Sequence, residues 1–410
     1  MTPAVLRYYL YKATRAVELY RPVMYLYFLS VGLSFTQLAF LEAAYNVTTV
    51  LAEVPTGYVG DRIGRRLSLV VGTGVIAATL AGIAFATTFP ALLSLYVLWS
   101  VGYAFRSGSE DAWLYDSLTG EGEFAEVRGR GESVALAVGV GGAVVGGWLA
   151  GIGLTYPFLV AAVVTAVGAA VLLTVEEPAD APEFDPLTPR RAADAIRDAL
   201  SDPRLRSFVP YYYVLFSAVT YLVFIFLQPR IEAVVATGPA AELVTLTGGV
   251  EPLLGWYYAG ISLVGAALTG RAGWLREHVG VRTWFVAIPL VVAALLVGQW
   301  AIPLVALPAF LLVRGLSEAT SVFAASYVND RLVSVGRATT LSAMAMVSGL
   351  TVVPFQLAGG SLSDQFSPGV ALAAAGVVLA AGSLAILAWR APVPAETGAG
   401  TEAGDAPTQP

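Results

Sequence analysis

The sequence contains no cysteine, a single histidine (His278) and a single lysine (Lys12). Without thiols it can form neither disulfides nor thiolate metal sites, and one imidazole cannot build a histidine metal cluster. Charge is scarce too. Asp, Glu, Lys and Arg make up 13% of the 410 residues, hydrophobic residues make up 57%, and mean hydropathy is +0.72. Soluble domains carry about 25% charged residues, so this composition implies an integral membrane protein. No basic run suited to nucleic acid occurs. No nucleophile–base constellation or metal set suggests an enzyme or a cofactor. The first 21 residues include Lys12, Arg15 and Glu18 and lack a small-residue cleavage site after an apolar core, so no cleaved signal peptide is expected.

What the chain does have is apolar length. A spanning helix takes about 20 mainly apolar residues. Such segments fall at about 20–37, 39–60, 66–88, 91–114, 131–152 and 155–175, then at about 207–228, 251–271, 281–300, 303–328, 337–361 and 369–390. The expectation is an all-α membrane protein with twelve transmembrane helices in two six-helix bundles. Residues 1–175 would form the first half with an amphipathic N-terminus, and 207–390 the second. Residues 176–206 read as a cytoplasmic linker with a short amphipathic helix from Arg190 to Leu200, and 391–410 as a disordered tail. Tips at Asp61–Arg66, Arg128–Arg130, Pro189–Arg206, Arg271–Arg282 and Arg331–Arg337 carry arginine, whereas the alternating tips carry none apart from Arg230 near segment 7. The positive-inside rule then places both termini in the cytoplasm of a multi-pass cell-membrane protein.

The halves echo one another where charge enters the membrane. Arg106-Ser-Gly-Ser109-Glu110 recurs as Arg314-Gly-Leu-Ser317-Glu318, offset by 208 residues, and Gly129-Arg130 recurs as Gly336-Arg337. Such a repeat implies two halves related by an axis along the membrane normal, with a small molecule bound between them. Charges inside a membrane are costly and mark function by default. Arg106 with Glu110 and Arg314 with Glu318 are spaced to pair along their own helices. Each pair either braces the bundle or carries protons. Asp111 and Asp116 lie at the depth of Arg62 and Arg65 and suggest a salt-bridge latch. Glu53, beside Pro55, is a proton site or a latch partner, and Glu42 reads as solvated near the outer end. Aromatics concentrate in segments 1 and 7. Tyr27, Phe35, Tyr212 and Phe216, with Gln37, Gln228 and Gln356, are candidates for a substrate pathway.

The densest charge cluster is Gly57-Tyr-Val-Gly-Asp61-Arg62-Ile-Gly64-Arg65-Arg66, with a worn copy from Gly273 to Arg282 that keeps Gly280 and Arg282 but has Glu277, His278 and Val281 in place of Asp61, Arg62 and Arg65. It is similar to the signature between helices 2 and 3 of the major facilitator superfamily, G-x-x-x-D-R-x-G-R-R. The resemblance covers nearly the whole chain by topology and this hairpin by motif. It implies a secondary transporter working by rocking-bundle alternating access, as a monomer. It implies that Asp61 caps helix 11 in the outward-open state, and that Arg106 matches an arginine tied to proton exchange in exporters, with Glu110 replacing that family's glycine. Gly142-Ala143-Val-Val-Gly146-Gly147 is similar to the antiporter pattern G-P-x-x-G-G with Ala143 replacing proline. The favoured activity is proton-coupled export of small amphipathic compounds. The alternatives are uptake or facilitated diffusion of a metabolite, or a membrane sensor that does not transport.

Overall fold

The computed structural model describes residues 2–118, 121–177, 189–203, 205–236, 238–331 and 337–393, and among them every regular element is a helix. The chain opens with α1 (Pro3–Ala16), which buries Val5, Tyr8, Tyr11 and Lys12 at a spacing of three to four residues. It breaks over 17–23 and resumes as α2 (Met24–Ser30). One continuous segment at 20–37 is therefore not what forms. α1 ends at Ala16, and Pro22, which supplies no N–H and disfavours helical geometry at Arg21, keeps the helix from resuming before Met24.

Next comes α3 (Phe35–Ile63), opened by a capping box in which Ser34 and Gln37 exchange side-chain and backbone bonds. It is followed by α4 (Arg65–Ile83), α5 (Phe89–Arg106), α6 (Ser109–Asp116), α7 (Glu121–Ile152) and α8 (Tyr156–Leu173). Next comes α9 (Pro189–Ser201), packed on α16 (Arg337–Gln365). A π-helical turn (Pro210–Phe216) leads into α10 (Ser217–Val235), then α11 (Ala241–Thr247), α12 (Val250–Thr269), α13 (Ala272–His278), α14 (Val281–Ala301) and α15 (Ala306–Asn329). After α16 the described chain ends with α17 (Pro368–Trp389). Among the described residues eight helices are long and apolar enough to cross a membrane, or nine if α12 and α13, bent by 53°, count as one. Residues 178–188 of the linker and 394–410 of the tail lie outside the described residues.

The most extensive contacts between the first half and the second are α7 with α12 and α3 with α16, and α2 also touches α10. Glycine makes the two extensive contacts possible by letting backbones approach. A Cβ on Gly255 would lie 2.7 Å from the Ala143 carbonyl, and one on Gly147 would strike the carbonyl of Glu251. A Cβ on Gly360 would lie 2.8 Å from the Phe35 carbonyl. All these contacts sit at the arginine-poor end. There Asp364 at the end of α16 accepts from the backbone N–H of Phe35 (2.8 Å) and Thr36 (2.9 Å), capping α3 across the interface.

Candidate functional site

Between the halves lies a cavity of about 530 Å³, walled by α3 and α5 on one side and by α10, α15 and α16 on the other. Its most unusual group is Glu42. At 4% exposure this carboxylate accepts from the hydroxyls of Tyr25 (2.9 Å), Tyr96 (3.3 Å) and Tyr221 (2.8 Å). The expectation of a solvated Glu42 is thus overturned. α3 begins at Phe35, so Glu42 sits two turns inside the helix and faces the interface. Tyr25 and Tyr96 belong to the first half, while Tyr221 reaches over from the second. Three donors satisfy a buried charge that would otherwise be expensive.

Beside it, Arg21 pairs with Glu18 (2.8 Å), and its guanidinium carbon lies 5.2 Å from the centre of the Phe224 ring. Arg314 approaches the same ring from α15 at 5.7 Å. Its pairing with Glu318 along the helix exists, but at 3.9 Å it is a loose ion pair. Glu53 lines the same cavity and also a smaller one of about 280 Å³ that runs toward the arginine-bearing hairpin, with Ser342 of α16 on its far wall. Ala104 and Ser107 border both spaces, so the interface crevice continues in that direction.

The break in the first helix is held from the other half. Buried Gln228 of α10 accepts from the Tyr25 N–H (2.9 Å) and donates to the Arg21 carbonyl (2.8 Å) and to the Tyr258 hydroxyl (2.9 Å). One amide thereby satisfies backbone groups that the break leaves unpaired, as irregular backbone inside a bundle requires.

The expected Arg106–Glu110 pair does not form. Gly108 adopts φ +77° and ends α5, so the two residues sit on different helices. Glu110 turns instead to α1, where it accepts from Lys12 (2.9 Å) and Arg15, and Lys12 also binds Glu132 (2.8 Å). Asp111 holds Arg128 through two bonds, of 2.9 and 3.0 Å. The pathway candidates fall elsewhere as well. The Tyr27 hydroxyl donates to the Ile83 carbonyl (2.8 Å) inside the first half. Phe35 packs edge-on against Phe226 at the arginine-poor end. Gln37 is engaged in its capping box. Tyr212 and Phe216 stack within an aromatic core that includes Phe208 and Phe285. Gln356 is fully buried in α16 and lines none of these cavities, with neither amide atom paired among the described residues. Of the aromatics in segments 1 and 7, Tyr221 and Phe224 do reach the cavity.

At the hairpin, Gly64 has φ +89°, and a Cβ there would meet the Glu177 carboxylate at 2.9 Å. Glu177 needs that space, because it caps α4 through the N–H groups of Arg65 (2.6 Å) and Arg66 (2.9 Å). Arg66 also donates to the Val175 carbonyl at 3.1 Å, and Arg62 lies over the Tyr58 ring at 4.3 Å. Arg65 and Asp116 form an ion pair of 3.2 Å between α4 and α6, within the first half, although the Asp116 Oδ2 has no aligned hydrogen bond among the described residues. The side chain of Asp61 lies outside the described residues, as does that of Arg337. In the worn copy Gly280 repeats the turn at φ +78°, and Arg276 pairs with Asp330 at 3.1 Å. Glu277 and Arg282 border a separate cavity of about 700 Å³ there. Glu42, Gln228 and Glu177 went unassigned or misread in the sequence; intramembrane glutamate and glutamine were the only local signal.

The Major Facilitator Superfamily model matches residues 16–244. Over 159 residues the chain is 23% identical to the uncharacterized MFS-type transporter YxaM of Bacillus subtilis (strain 168), a match covering 38% of this chain and 40% of that relative. Among solved structures it resembles the nucleoside transporter NupG, with a TM-score of 0.74 at 12% identity over 94% of this chain and 97% of that one. It also resembles a bacterial homologue of the human lysosomal transporter Spinster in an inward-facing, occupied conformation, with a TM-score of 0.70 at 18% identity over 95% and 96%.

Proposed function

The chain belongs to the major facilitator superfamily, and from that premise we propose that it is a secondary active transporter that exports small amphipathic compounds in exchange for protons. In this reading the first helix is α1 and α2 together and the fourth is α5 and α6. The count is then twelve spans in two six-helix bundles of a monomer, with both termini in the cytoplasm of the cell membrane. The arginine-poor end becomes the outer face, so the Asp364 cap and the Gly147–Gly255 contact close the outside while the crevice past Glu53 leads inward.

One observation carries the coupling: a buried carboxylate of one half receives a hydroxyl donor from the other. Rocking the halves apart at the outer face withdraws Tyr221 from Glu42. A proton from outside then replaces the lost donor on Glu42, and closure returns Tyr221 and releases that proton inward. Glu110, tied to Lys12 and Arg15, braces the first half, and Glu318, half exposed beside Gly265, braces the second. Motion of the hairpin would carry Asp61 toward α16, as the family resemblance implies.

The test uses everted membrane vesicles and a panel of amphipathic dyes that includes ethidium and an anilinonaphthalene sulfonate. Wild type should accumulate a dye when a pH gradient is imposed, and Glu42→Gln should abolish that accumulation while dye-for-dye exchange persists. Gradient-driven accumulation by Glu42→Gln at the wild-type level would remove Glu42 from the coupling.

A further inference from the structure

Two small cavities branch from the central one inside the first half, and their charges differ. The branch beside α6, about 170 Å³, is balanced: Arg15, Arg106 and Arg128 face Glu110, Asp111 and Glu132. The inner branch, about 130 Å³, adjoins the central cavity through Arg21, Tyr45, Trp99 and Tyr103. It is not balanced. Arg15, Arg21 and Arg106 line it, and Glu18 is the sole carboxylate on its wall among the described residues.

The neighbouring carboxylates are already committed. Glu18 gives one oxygen to both Nε and Nη2 of Arg21. Glu110 faces the balanced branch and binds Lys12 and Arg15. Glu42, beyond Arg21, holds three tyrosine hydroxyls. Arg106 has no hydrogen bond or ion pair among the described residues, because the turn at Gly108 has carried its expected partner away. A guanidinium without a direct partner inside a helical bundle is costly and calls for a counter-charge. The branch holds about four water volumes, enough for a small anion and part of its hydration. The Thr165 hydroxyl and the aromatic rings of Tyr20 and Trp99 complete the wall.

We propose that this inner branch is an anion-binding site in which Arg106, with Arg15 and Arg21, holds a chloride-sized ion or the anionic end of a larger solute entering from the central cavity. The site stands on charge and geometry and does not depend on the direction or coupling of transport.

Full-length protein purified into nanodiscs should unfold about 2–4 °C higher in sodium chloride than in sodium gluconate of equal ionic strength. Arg106→Gln, checked for folding by circular dichroism and gel filtration, should lose that difference. Arg106→Lys, which keeps the charge, should retain part of it. Crystals of the wild-type protein soaked in bromide should show an anomalous peak between Arg21 and Arg106, a readout that survives if Arg106→Gln fails to fold. Competition separates the sources. Displacement of bromide by benzenesulfonate identifies a subsite for an anionic terminus, and resistance to it identifies a site for free inorganic anion. Equal unfolding temperatures in the two salts together with no bromide peak would overturn the proposal, as would an undiminished chloride effect in Arg106→Gln.

Discussion

Gly57 and Gly64 occupy one motif for opposite physical reasons, and substitution should separate them. Gly64 turns the chain at φ +89° and leaves room for Glu177 against α4. Alanine there meets both a backbone region that side chains avoid and a carboxylate at 2.9 Å. Gly64→Ala should cost about 1–3 kcal/mol. Gly57 lies within α3 with nothing near its Cβ direction, so Gly57→Ala should be neutral or should stabilise by about 0.5–1 kcal/mol. Thermal unfolding of the two variants side by side decides it, and an equal loss at both would refute the distinction. Tyr221 gives a second residue-scale case. Tyr221→Phe deletes the hydroxyl donor that Glu42 receives from the second half. A hydroxyl bonded to a charged partner is worth about 1.5–3 kcal/mol. If that contact biases the equilibrium between the two faces, Tyr221→Phe should shift the pH at which dye accumulation is half-maximal, whereas a merely structural tyrosine would lower stability without moving the profile.

At the scale of elements, the first helix depends on a partner two hundred positions away. Gln228→Leu preserves bulk but leaves the Tyr25 N–H and the Arg21 carbonyl without their partner. A buried unsatisfied group costs about 1–3 kcal/mol, so this substitution should lower the unfolding temperature more than Gln37→Leu, whose loss is a local cap at a helix end. Comparable loss at both sites would show that Gln228 does not hold the break. The same element shows what the sequence made legible. Segment limits at 281–300 and 369–390 fall within a residue or so of α14 and α17, because apolar length is a property each segment carries alone. The turn at Gly64 and its repeat at Gly280 were legible for the same reason. Pairings between elements were not. Arg106 and Glu110 have a helical spacing, yet Gly108 redirects the chain between them, and the carboxylate finds the sole lysine on α1. Glu42 looked solvated because its three hydroxyl partners come from three separate helices, two in one half and one in the other. Aromatic density in segments 1 and 7 was real, but most of those rings pack within their own half.

For the whole molecule, the two ends of the α3–α16 contact are built on the same physics with the helices exchanged. At the arginine-poor end an aspartate of α16 caps the N-terminus of α3; at the hairpin end the family resemblance would have Asp61 of α3 cap the N-terminus of α16. Each cap needs its own end closed, so the two would alternate as the halves rock. Losing a side-chain cap costs about 0.5–2 kcal/mol, and that cost falls only on the state in which the cap is made. Asp364→Ala should therefore shift the balance toward opening of the arginine-poor end by about 2- to 30-fold. The absence of cysteine makes this measurable, since one introduced thiol is the only thiol. Met346→Cys places it on the wall of the central cavity. In the proposed orientation, a membrane-impermeant maleimide added from outside should label Met346→Cys slowly and the Met346→Cys/Asp364→Ala variant several-fold faster, while labelling from the cytoplasmic side falls. Unchanged rates from both sides would show that the Asp364 cap does not hold the outer face shut, and would shift that role to the glycine contacts between α7 and α12.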